Sequence, residues 1–175
     1  MAAQDSALIV IDLQNDYFPG GKYPLWNTAT VLDNCVAAIE QANTLGIPVI
    51  LVQHVADSSE GLSPFFNAGS EGVAIHPRIL AAAPQATVVI KQAADSFYQT
   101  TLQATLDKLG SRQLLLCGMM THNCVTHTAL SPAAAPYEVK VLADCCSTVD
   151  QMMHAIALNA LSIRVPLPSA AEALA

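Results

Sequence analysis

Short apolar runs rich in β-branched residues recur along the chain: "ALIVID" at 7–12, "PVILVQ" at 48–53, "TVVIK" at 87–91, "QLLLCG" at 113–118 and "YEVKVLAD" at 137–144. They are mostly continuous rather than alternating, the pattern of strands buried on both faces of a sheet. Helical patterns lie between most of them. One is "TATVLDNCVAAIEQANTLG" at 28–46, which ends on a glycine C-cap signal before Ile47 and Pro48. Strand and helix alternating in this way predict an α/β fold, a parallel sheet with helices on both faces.

The stretch 54–86 breaks the rhythm. Its "HVADSSEGLSPFFNAGSEGVAIHP" is rich in Ser, Gly and Pro and shows no sustained period, so it predicts a long ordered loop of the kind that carries function. No internal repeat or low-complexity segment interrupts the chain, and "SPAAAP" at 131–136 is too short for a linker. The expectation is one domain over 1–175, a length that buries roughly two thirds of the surface of the unfolded chain.

Composition changes the picture in three ways. Hydrophobic residues make up 53% against 12% charged, with a mean hydropathy of +0.40, an apolar surplus that suggests a buried subunit interface and so a homodimer or homotetramer. A formal charge of -7 and the absence of a basic run exclude nucleic acid as an expected partner. The opening "MAAQDSALIVIDLQND" lacks the basic region and long apolar core of a signal peptide, no run approaches a membrane span, and the five cysteines lack scaffold spacing. A cytoplasmic protein with reduced thiols and no membrane partner is the expectation.

In open α/β sheets ligands bind beyond the carboxyl ends of the strands. The residues found there are Asp12, Gln53 with His54, Lys91, the segment from Gly118 to Cys124, and Asp144. A cysteine nucleophile needs its thiolate. "GMMTHNC" leads from a strand into "CVTHTALSPAAA", so Thr121 is a candidate cap for a helix whose first turn holds Cys124, and both the helix dipole and Lys91 are expected to lower the thiol pKa. Asp12 can take the thiol proton and pass it to a leaving amine. Against this stand the plainer readings: cysteine is commonly core filler, and Asp12 with Lys91 can be a structural ion pair.

The segments "ALIVIDLQNDYFPGG", "KQAADSFYQTTL" and "LLLCGMMTHNCVTHTA" resemble, in order and spacing, the three signature segments of the isochorismatase-like cysteine hydrolases. The resemblance spans nearly the whole chain. It implies an aspartate, lysine and cysteine triad at Asp12, Lys91 and Cys124, a three-layer Rossmann-like α/β/α fold with a six-stranded, mainly parallel sheet, and dimers or tetramers. It further implies a cis peptide between Met119 and Met120, with the backbone N–H groups of Met120 and Cys124 as an oxyanion hole. The implied reaction is hydrolysis of a C–N bond in a small amide-like substrate through an acyl-enzyme, with no cofactor. Cys124 argues against the vinyl-ether cleavage of true isochorismatases, which typically lack that cysteine. Nicotinamidases usually carry an Asp-x-His metal motif after the second strand. This chain has Gln53 and His54 there, with Asp57 on the wrong side.

Several other residues are candidates for a substrate pocket: Gln14, Phe18, Trp26, His54, Phe65, Phe97 and His122. Aromatic walls with a few polar groups suit a small, largely uncharged ligand, and packing at a subunit interface is the alternative reading. His122, Cys124 and His127 form H-x-C-x-x-H, but zinc would tie up the thiolate and no second cluster has zinc spacing, so no metal is expected. A phosphatase of the aspartate-nucleophile type wants a second Asp where Gln14 stands, and a dinucleotide enzyme wants a G-x-G-x-x-G turn that "DLQNDYFPGG" lacks. A non-catalytic binding or scaffold protein on the same fold remains the alternative from another class.

Overall fold

The computed structural model describes residues 5–59 and 61–175, so the first four residues of the opening stretch lie outside it. Five parallel strands form one sheet: β1 (Ser6–Ile11), β2 (Val49–His54), β3 (Thr87–Lys91), β4 (Gln113–Met119) and β5 (Glu138–Ser147), in the order β3-β2-β1-β4-β5. All six residues of β1 and all seven of β4 are buried, as continuous apolar runs require. Side chains alternate between two cores. Leu8 and Val10 pack with α1 (Thr28–Thr44) and α2 (Pro77–Ala82), whereas Ala7, Ile9 and Ile11 pack with α3 (Leu102–Leu109) and α5 (Gln151–Ser162). Two four-residue helices complete the layers, α4 (Thr126–Ala129) and α6 (Ala170–Ala173).

The resemblance implied six strands, and five are present among the described residues. The place of the sixth is taken by the segment 164–168, which runs beside β5 through Val141 N–H to Pro166 C=O at 3.1 Å and Ala143 N–H to Pro168 C=O at 3.2 Å. A parallel ladder would have residues 166 and 168 donate back to β5. Both are prolines without an N–H, so the segment accepts hydrogen bonds but returns none.

The expected loop at 54–86 contains a helix that its polar composition hides. Pro77 occupies the first turn of α2 and the His76 ring accepts from Arg78 N–H at 3.2 Å, a proline start and a cap that could have been read locally. The rest of the segment is tied down by buried polar groups. Gln14 donates to both His54 O and Val73 O at 2.8 Å and accepts from His54 N–H at 2.8 Å, stitching the end of β2 to the loop. Among the described residues no helix is long and apolar enough to cross a membrane.

Strand order reverses between β1 and β4, because the chain moves outward through β2 and β3 and then returns to the other side of β1. Here the two strands come unusually close. A Cβ on Gly118, whose φ is +120°, would lie 2.0 Å from Ile11 O, so only glycine fits. The crevice at this reversal is where the site forms.

Candidate active site

Four strand ends each deliver one polar side chain to this crevice. Asp12 follows β1, His54 ends β2, Lys91 ends β3 in register with His54, and Cys124 follows β4 by one turn. Asp12 sits at φ 54°, a left-handed conformation that costs a non-glycine residue about 1–3 kcal/mol and is held by hydrogen bonds from Asp12 N–H to Val52 O and from Gln14 N–H to Asp12 O. The peptide between Met119 and Met120 is cis. Cys124 lies in a single π-helical turn, Thr121–Val125, a rare irregularity that recurs at functional sites.

The Lys91 ammonium is the hub of the cluster. Its Nζ lies 2.9 Å from Asp12 Oδ2, 3.0 Å from His54 Nδ1, 3.0 Å from Ala93 O and 3.2 Å from Cys124 Sγ. Asp12, Lys91 and Cys124 are 0%, 1% and 3% exposed, so their charges are felt at low dielectric. Apart from the ion pair, neither Asp12 oxygen has a hydrogen-bond partner among the described residues. The Cys124 thiol is another polar group close to this carboxylate.

Burial pushes the Cys124 thiol well up, the Asp12 carboxylate pushes it further, and Lys91 opposes both without prevailing. The expectation of a lowered thiol pKa is therefore reversed. The dipole argument fails because the turn holding Cys124 is followed by a helix of only four residues, and Thr121 does not cap it. Thr121 Oγ1 is instead 2.9 Å from His154 Nδ1, tying the turn to α5. Burial disfavours the Lys91 ammonium, but Asp12 and Cys124 outweigh it and raise its pKa. His54 is lowered by burial and then by Lys91, so its imidazole is neutral at neutral pH.

The pocket candidates divide. His54 belongs to the cluster. Phe65 packs on Tyr17, Tyr23 and Phe66, with ring centroids 4.8–5.5 Å apart. Trp26 faces the His154 ring at 5.6 Å, and His122 Nδ1 bonds Thr148 Oγ1 at 2.7 Å. Gln14 spends its amide on backbone, Phe18 packs on His76, and Phe97 stacks on Tyr137 in the same core cluster that holds Cys124. Tyr17 was missed. Its phenol is buried, its ring packs edge-on against Phe66 at 4.6 Å, and its pKa is driven far up by burial and then by the charges of Asp12 and Cys124. The signal was the aromatic at the end of "LQNDY", in the 3-10 turn Asn15–Tyr17.

Gln53 donates to Val73 O at 2.8 Å and Asp57 is exposed, its carboxylate accepting from Ser59 N–H. Asp12, His54 and Cys124 bring ligand atoms within 4.8 Å of one another, close enough for an ion. The Lys91 ammonium already stands among all three.

Comparison with known proteins agrees with this geometry. The isochorismatase domain model matches residues 6–172, and the chain belongs to the isochorismatase family of hydrolases. An isochorismatase family protein of Bacillus subtilis, YddQ, is 36% identical over 143 residues, covering 82% of this chain and 78% of that one. A solved isochorismatase-group structure from Oleispira antarctica superposes with a TM-score of 0.88 at 32% identity, covering 98% and 96% of the two chains. A streptothricin hydrolase of Streptomyces noursei is 28% identical over 144 residues, 82% of this chain and 50% of that one.

Proposed function

We propose that the protein is a cysteine hydrolase that cleaves the C–N bond of a small amide-like substrate through a covalent acyl-enzyme. The observation that carries this reading is the buried contact of one ammonium with both a bare carboxylate and a thiol, each from a different strand end. Kinship with a protein named streptothricin hydrolase supports the hydrolytic direction.

The resting site holds a neutral Cys124 thiol, an Asp12 carboxylate and a Lys91 ammonium. As Sγ attacks the carbonyl carbon, its proton passes to Asp12 and the carbonyl oxygen gains negative charge, which the N–H groups of Met120 and Cys124 receive. Two such donors contribute several kcal/mol in a dry site. Collapse of the tetrahedral adduct breaks the C–N bond, and the departing amine leaves with the proton from Asp12. Water then attacks the thioester, giving one proton to Asp12, which returns it to the departing sulfur. Lys91 pairs with the Asp12 carboxylate and stabilises sulfur as it becomes thiolate.

The substrate is read as small and largely uncharged, walled by Tyr17, Phe65 and Phe66. The active form is read as a homodimer or homotetramer, because α5 and the residue after it expose Met152, Ile156 and Ile163 at 74%, 63% and 82%. Light scattering on a sizing column tests that part. For the reaction, a panel of primary and secondary amides is assayed for released ammonia or amine while intact mass is followed after an acid quench. A transient acyl adduct on Cys124, lost together with turnover in Cys124→Ala, is the expected result. Turnover that survives that substitution would overturn the proposal.

A further inference from the structure

Four acceptors crowd one ammonium that has three N–H bonds. Asp12 Oδ2, His54 Nδ1 and Ala93 O lie at 2.9–3.0 Å from Lys91 Nζ, and Cys124 Sγ is the farthest at 3.2 Å. A thiol sulfur is also the weakest acceptor of the four. We infer that His54 is a positioning residue: its Nδ1 lone pair, at 3.0 Å, competes with Cys124 Sγ, at 3.2 Å, for a lysine N–H, and by weakening the contact to sulfur it keeps the resting thiol protonated until substrate arrives. This rests on the cysteine hydrolase reading.

Several features of the fold make the contact obligatory. His54 and Lys91 are registered partners on adjacent parallel strands, so their side chains leave the same face of the sheet. The backbone of His54 is fixed on its own account, donating to Gln14 Oε1 and accepting from Gln14 Nε2, both at 2.8 Å. Lysine can only donate, which assigns the acceptor to Nδ1 and the imidazole proton to Nε2. Among the described residues the charged and titratable groups against this ring are Asp12, Lys91 and Cys124, with Phe66 5.9 Å away as an aromatic neighbour.

Acceptor competition has a signature that mere pocket lining lacks. In His54→Leu, which keeps bulk but removes the lone pair, the freed N–H turns to sulfur and favours thiolate. The apparent pKa of Cys124, read as the pH dependence of its alkylation by iodoacetamide with peptide mapping, should fall by about one unit, roughly tenfold more thiolate at a fixed lower pH. His54→Asn, whose side-chain oxygen can stand in for Nδ1, should restore the original profile. In His54→Leu with Lys91→Ala the downward shift should vanish. His54→Ala repeats the measurement should the leucine variant fail to fold.

An unchanged or raised pKa in His54→Leu, beside a pKa that Lys91→Ala raises, would overturn the role of His54 and leave the nucleophile standing. Indifference of Cys124 to His54 and Lys91 alike would sink both readings.

Discussion

Two buried carboxylates four residues apart meet opposite fates. Asp16, in the turn after β1, accepts from Lys22 N–H at 3.1 Å and Phe66 N–H at 2.8 Å, and it joins the loops at 19–26 and 61–75 into one wall. Asp12, at the strand end, accepts from no backbone donor among the described residues and has the Lys91 ammonium and the Cys124 thiol beside it. The same side chain is saturated by backbone donors at one position and left to side-chain partners at the other. Packing enforces the difference: a Cβ on Gly72 would lie 2.0 Å from Asp16 Oδ1, so backbone closes over Asp16, whereas Asp12 opens onto Cys124.

The largest expected effect separates these two residues. Asp12→Asn should lower hydrolysis by about 10²–10⁴-fold through loss of the proton carrier, and it strands Lys91 at a cost of about 3–5 kcal/mol of stability. Because the carboxylate holds the thiol proton on, the same variant should alkylate faster at Cys124 at a given pH. Asp16→Asn should cost about 1.5–3 kcal/mol in a denaturant melt and leave the Cys124 alkylation profile where it was. A shifted profile in Asp16→Asn would erase the distinction.

Glycine substitutions sharpen the same comparison. Gly118→Ala drives a Cβ against Ile11 O at a left-handed φ, so it should spread β1 from β4 and disturb both melting and Cys124 reactivity. Gly72→Ala should cost about 1–3 kcal/mol by overpacking Asp16, with little change at Cys124. Parallel melts and alkylation rates of the two variants decide the matter.

The smallest effect concerns pH. Cys35, Cys124, Cys145 and Cys146 are all raised in the folded protein. Above the unfolded thiol pKa of about 8.5 the unfolded chain releases protons that the fold retains, so stability falls as pH rises. His54, His76, His122 and His154 are lowered, so below about 6.5 the unfolded chain binds protons that the fold refuses, and stability falls as pH drops. Chemical denaturation should show a plateau between about pH 6.5 and 8.5. Cys124→Ser should flatten the alkaline limb by about 1.4 kcal/mol per pH unit, one proton's worth. An unaltered limb would mean that this thiol ionises as readily folded as unfolded.

Much of the fold was legible because burial on both faces leaves its mark directly in composition. The five apolar runs became the five strands, and "LG" at 45–46 became the end of α1, with Gly46 at φ +70°. Where the resemblance implied a sixth strand or the pattern showed no helix, backbone chemistry intervened. Prolines at 166 and 168 stripped the sixth strand of its donors, and α2 lay hidden because a six-residue helix that buries only Ile79 shows no period. At the site, Asp12, Lys91, Cys124 and His54 stand just after apolar runs or at their ends and are legible there, whereas Tyr17 lies in a short 3-10 turn whose aromatic packs on residues far along the chain.

The chain by itself determined the order of strands and helices, the residues standing at the strand ends and the kinship with isochorismatase-type hydrolases, because each is written in local pattern. Only the tertiary structure decided how those residues stand toward one another. Whether the thiol rests protonated depends on burial, on a carboxylate from one strand and an ammonium from another, and on how four acceptors divide three N–H bonds. Electrostatic energies vary with distance and dielectric, and both are properties of the packed molecule that no single stretch of sequence contains.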